Sequence, residues 1–105
     1  MPKRFFIAIA IAVSASNASA AEYIVTQSRM AFKPDALTVK VGDTVVFKNN
    51  DKLTHNVYSK SSGNSFNLKA VRPGASENVT FSTPGEVKVR CAIHPKMKMK
   101  ISVEK

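Results

Sequence analysis

A β-sandwich is the fold class predicted by this 105-residue sequence, and three observations predict it. Apolar and polar residues alternate with period two after Ala21, and β-branched residues dominate the alternating stretches. No stretch of helical period of useful length follows Ala21. Turn signals (Gly42-Asp43, Arg72-Pro73-Gly74, Thr83-Pro84-Gly85) recur at the short intervals of an all-β sandwich of about seven or eight strands.

The elements follow in order. Glu22 to Gln27 reads as a first strand. Ala31-Phe32-Lys33-Pro34-Asp35 reads as a loop, because proline cannot donate to a sheet ladder. Ala36 to Val41 alternates, with Leu37, Val39 and Val41 on one face. Thr44 to Asn49 is the next strand, ended by Asn49-Asn50-Asp51. His55 to Ser59 is a short strand, and the polar stretch to Ser65 is a loop. Phe66 and Leu68 alternate and return to the core. Ser76 to Phe81 alternates, and Glu86 to Cys91 places Val87, Val89 and Cys91 on one face. Met97 to Val103 is the last strand, with Met97, Met99, Ile101 and Val103 sharing a face. Asn78-Val79-Thr80 matches a glycosylation sequon, but it falls inside a predicted strand and carries no weight.

The first twenty residues are expected to be removed. Lys3 and Arg4 precede an unbroken apolar run from Phe5 to Val13, and Ala18-Ser19-Ala20 supplies small residues at a cleavage position. That is the pattern of a secretory signal, over residues 1–20. The run is too short for a transmembrane helix; a retained anchor is the alternative. Residues 21–105 then form one small domain with no membrane span, in the periplasm. That segment keeps 14 Lys/Arg against 7 Asp/Glu. The excess favours acidic partners, whereas export and the scarcity of aromatics argue against nucleic acid.

The chemistry concentrates in Cys91-Ala92-Ile93-His94-Pro95-Lys96-Met97. Cys91 is the only cysteine, and His55 and His94 are the only histidines. One cysteine cannot form a disulfide within the chain, and an exported free thiol is exposed to oxidation. A metal bond would occupy the thiolate and staple a small fold; a buried inert cysteine is the alternative. One loop can present Cys91, His94 and Met97 to a single point. His55, 36 residues before Cys91, is the one imidazole left to complete the set. Two His, one Cys and a weak axial Met are the ligands of blue-copper electron-transfer sites. Zinc would accept the Cys and His but gains little from Met, and calcium and magnesium want oxygen ligands. Asn56 could tie the two ligand loops together by hydrogen bonds, or be an ordinary loop residue.

Thr54-His55-Asn56-Val57 with Cys91-Ala92-Ile93-His94-Pro95-Lys96-Met97 resembles the cupredoxins of the plastocyanin, pseudoazurin and amicyanin group, over essentially all of Glu22 to Lys105. The resemblance implies a Greek-key sandwich holding one type 1 copper ion, cycling between Cu+ and Cu2+, and single-electron shuttling between redox partners. It carries over His55, Cys91 and His94 as ligands in the copper plane with a methionine on the axis. His94-Pro95-Lys96-Met97 matches the amicyanin-like loop and favours Met97. A plastocyanin- or pseudoazurin-like loop would use Met99. Met30 reads as structural. The resemblance also makes His94 the electron port, with Ile93 and Pro95 as an apolar contact patch. Lys96, Lys98 and Lys100 alternate with the inward methionines and are candidates for docking acidic surfaces of redox proteins, or are a solvated strand face. The expectation is a monomeric carrier with no catalytic site, because four ligands leave no open position for a substrate. A protein that hands over copper ions instead of electrons is the alternative.

Overall fold

The structure, a computed structural model, describes residues 20–105. The expected signal segment, apart from Ala20, lies outside the described residues. Nine strands run in the order β1 (Glu22–Ser28), β2 (Ala31–Lys33), β3 (Ala36–Lys40), β4 (Thr44–Asn49), β5 (His55–Ser59), β6 (Phe66–Val71), β7 (Ser76–Thr80), β8 (Gly85–Arg90) and β9 (Lys98–Glu104). They form two sheets, β2-β1-β4-β7 and β3-β9-β8-β5-β6, and the chain passes repeatedly from one to the other. Most neighbours are antiparallel, but β1 pairs parallel with β4 and β3 parallel with β9. No helix among the described residues is long and apolar enough to cross a membrane.

The alternation seen in the sequence becomes an inside and an outside. Val87 and Val89 on β8 face inward with Met99, Ile101 and Val103 on β9, Val25 on β1 and Val45 and Phe47 on β4. Phe47 meets Phe32 edge-on at 6.3 Å between ring centres, and Phe66 meets Phe81 the same way at 6.1 Å. Such offset pairs add to the burial of the rings themselves.

Three local expectations need correction. Residues 31–33 form a strand, not a loop, and pair with β1 through a two-residue turn at Arg29 and Met30. Both have positive φ, 53° and 56°, the geometry a tight hairpin requires. Asn-Gly is its usual signature, so Arg-Met gave no warning. Val41 is 40% exposed, because the chain turns there into Gly42 (φ 98°) before the next inward position is reached. Met97 precedes β9 instead of opening it, although its carbonyl still accepts from Cys91 N–H at 3.3 Å.

Candidate metal centre

Three connections meet at one end of the sandwich: the β1–β2 turn, the β4–β5 loop and the β8–β9 loop. The β4–β5 loop is shaped by Asn49, which is fully buried. Its Nδ2 donates to the carbonyls of Leu53 and Val71 at 2.8 and 2.9 Å, and its Oδ1 accepts from Asp51 N–H at 2.8 Å. Those bonds turn the chain so that His55 enters β5 pointing inward. On the other side, β8 ends at Arg90 and delivers Cys91 beside it. The β5–β8 register pairs Tyr58 with Arg90 and Ser59 with Val89, which brings the start of β5 alongside Cys91.

The expected ligands converge. His55 Nδ1 and His94 Nδ1 lie 3.0 Å apart, and Cys91 Sγ lies 3.9 Å from His94 Nδ1. One ligand atom of each residue falls within 4.8 Å of the others. His55 and Cys91 are buried, and His94 is half-buried. Met97 is 1% exposed, and its backbone pairs it with Cys91 just beyond the last β8–β9 ladder pair, Arg90 with Lys98. Met99 is also buried but sits opposite Val89, two residues further along the strand. Side chains directly opposite on one face are nearest neighbours, so Met97 is the methionine beside the thiol and Met99 is its neighbour toward the core.

The surrounding hydrogen bonds orient these groups. Asp51 Oδ2 accepts from His55 Nε2–H at 2.9 Å. That partner holds the ring proton on Nε2 and leaves the Nδ1 lone pair aimed at the cluster. The same oxygen accepts from Met30 N–H at 2.9 Å, and Oδ1 accepts from Lys52 N–H. The Met30 amide foremost, and then His55, hold the Asp51 carboxyl down to about 2. Asn56 spans both loops. Its N–H donates to Cys91 Sγ at 3.3 Å, and its Oδ1 accepts from Ala92 N–H at 3.1 Å. Its Nδ2 donates to Asn67 Oδ1 and to the Lys69 carbonyl. A sulfur accepting an amide hydrogen bond is suited to the thiolate state, and the donor set of two imidazoles, a thiolate and a thioether fits copper.

Sequence reasoning missed Asp51, which stands four residues before His55 with no motif to mark it. It also set Met30 apart as structural. In the fold Arg29 and Met30 line a surface depression together with Ile93, His94, Pro95 and Lys96, because Asp51 draws the hairpin tip to the ligand end. Ile93 is 52% and Met30 50% exposed, so the edge of His94 lies among apolar side chains open to solvent.

Comparison with known proteins agrees with this geometry. The profile of copper binding proteins of the plastocyanin/azurin family matches residues 19–104. The methylamine utilization protein MauL of Methylorubrum extorquens is 32% identical over 92% of this chain and 86% of its own. A reduced, Cu(I) form of an amicyanin variant at pH 4 superposes with a TM-score of 0.73 at 29% identity, over 87% of this chain and 89% of that one. A copper-containing nitrite reductase from Thermus scotoductus superposes with a TM-score of 0.75 at 29% identity, but only 22% of that chain is covered. The likeness to the reductase is thus to one portion of a much longer protein. With a family profile spanning nearly the whole described chain, this protein belongs to the plastocyanin/azurin family of copper binding proteins.

Proposed function

We propose that the protein carries single electrons between redox partners in the periplasm, through one type 1 copper ion held by His55, Cys91, His94 and Met97. The observation that carries this reading is the convergence of two imidazole nitrogens 3.0 Å apart with the Cys91 sulfur 3.9 Å from one of them. Copper bound there supplies one-electron chemistry between its +1 and +2 states. The chain's own residues supply the rest. Cys91, presented by β8 and capped by the Asn56 amide, gives the strong soft bond. His55 is fixed from behind by Asp51, so its ring has little freedom to rotate when the charge changes. Met97, buried and paired through its backbone with Cys91, would add the weak thioether to the donor set. His94 alone reaches the surface, and its edge among Met30, Ile93 and Pro95 is where a partner approaches. Lys96 stands at this rim, with Lys98 and Lys100 exposed further along; these are the docking residues for acidic partners.

Removal of residues 1–20 by signal cleavage accompanies this reading. Ala21 N lies 2.8 Å from Asp43 Oδ1, so a new α-ammonium at Ala21 would meet a carboxylate already in place. The domain 21–105 then acts as a monomer.

The test is the visible spectrum and voltammetry of the protein loaded with Cu(II), alongside Cys91→Ser. An intense blue band, lost in the variant, and a reversible one-electron couple are expected. A protein that binds copper without the band or couple would support the handing over of metal ions instead.

A further inference from the structure

The outer face of the five-stranded sheet carries an arrangement that folding alone disfavours. Arg90 lies directly opposite Lys98, and in the next row Lys88 lies directly opposite Lys100. Like charges facing each other across a pair of strands destabilise a sheet, and exchanging either member for an acid would relieve it. Among the described residues, only Lys100 of these four has a carboxylate partner in reach, Glu86 at 3.3 Å, with the two side chains 57% and 49% exposed. An ion pair so open to solvent contributes little.

The cationic field extends beyond these two rows. Tyr58 continues the first row opposite Arg90. Tyr58 and Lys60 with Lys88 and Arg90 line one shallow groove, and Lys88, Arg90, Lys98 and Lys100 line the next. The acidic residues at its margin are Asp35 and Glu86. The first row adjoins the metal centre, since Arg90 and Lys98 immediately flank Cys91 and Met97 in the chain.

We infer that this face is a docking surface for an acidic protein partner, which it steers and orients so that the His94 edge meets the partner's redox centre. The inference rests on the electron-carrier reading. Charge complementarity names the occupant. A protein surface can offer fixed carboxylates at the spacing of the two rows, about 5 Å across strands and about 7 Å along them. Among the described residues the face presents no exposed large apolar residue to insert into a bilayer, and the aromatic residue it shows is Tyr58.

The experiment uses the copper-loaded protein and the double variant Lys88→Glu/Lys98→Glu, with Lys48→Glu on the opposite sheet as a control. Each reversal in the double variant places a Glu opposite a retained cation, Lys100 or Arg90, so the fold is not put at risk. The probe is poly-L-glutamate, followed by amide chemical shifts of the 15N-labelled reduced protein at low and high salt. Shifts centred on residues 88, 90, 98 and 100 are expected. Affinity should fall about tenfold or more in the double variant, while its melting temperature rises and its blue band is unchanged. Unchanged affinity, or shifts centred elsewhere, would overturn the inference. So would tighter binding at equal salt to phosphatidylglycerol vesicles or to a DNA duplex than to poly-L-glutamate. Failure of the electron-carrier reading is seen separately, as loss of the band or of the reversible couple.

Discussion

Asn56 is the residue whose removal tests most directly how the two ligand loops are held together. In Asn56→Ala the backbone N–H to Cys91 Sγ remains, while three side-chain bonds vanish, to Ala92 N–H, Asn67 Oδ1 and the Lys69 carbonyl. At about 1 kcal/mol net for each, the loss would be about 3 kcal/mol. The structure points below that sum. Asn67 Oδ1 keeps the Lys69 N–H at 2.7 Å. Ala92 and Lys69 are exposed, so water can take over their backbone groups. About 2 kcal/mol is therefore expected, a fall of roughly 8–16 °C in the melting temperature of a domain this size. The assay is thermal unfolding of the copper-free protein by circular dichroism, with Asn67→Ala measured beside it. Asn67→Ala removes the bonds that Asn67 Oδ1 accepts from Asn56 Nδ2 and from the exposed Lys69 N–H, leaves Asn56 its bonds to Ala92 and Lys69, and should cost less than Asn56→Ala. A change in Asn56→Ala below about 0.5 kcal/mol, the size of an ordinary surface substitution, would refute the idea that this side chain clamps the loops.

Other consequences are equally specific. Met97→Ala should alter the blue band and move the reduction potential, whereas Met99→Ala should leave both unchanged and cost about 2–5 kcal/mol of stability as a core cavity; spectroscopy and unfolding of the two variants side by side separate the roles. Asp51→Asn removes the carboxylate behind His55 and should weaken copper binding about tenfold or more, measured by competition with a chelator of known affinity. Asp43 accepts the N–H groups of Ala21 and Lys40, and these bonds hold its carboxyl below the ordinary value of 3.8. Its contribution to stability is therefore complete above that value and is lost as pH falls beneath it; acid unfolding of Asp43→Asn should show a shallower decline in this range than the parent protein. Gln27 is fully buried, and neither of its amide atoms has a hydrogen-bond partner among the described residues. Gln27→Met, of similar shape, should therefore raise the melting temperature, and a fall would reveal a partner such as an ordered water.

Much of this molecule was written in its sequence. The two-residue period of β3, β4, β8 and β9 marks their buried faces, because the pleat sends alternate side chains to opposite sides. The short segment from Cys91 to Met97 marks three donor groups, because seven residues of loop between adjacent strands cannot separate them widely. Local chemistry was sufficient in both cases. What it left open was whatever depends on elements distant in the chain. That Arg29 and Met30 form a tight turn is decided by the pairing of β1 with β2 and by Asp51, which accepts the Met30 amide, not by the propensity of either residue. The same carboxylate reaches His55, so its place behind the metal centre comes from the fold of the β4–β5 loop. The choice of Met97 over Met99 as the neighbour of Cys91 rests on the β8–β9 register, since both methionines have the same parity. The facing cations on β8 and β9 become visible only through that register too. Periodicity assigns each residue to a face; only the pairing of strands decides which side chains on that face stand against one another.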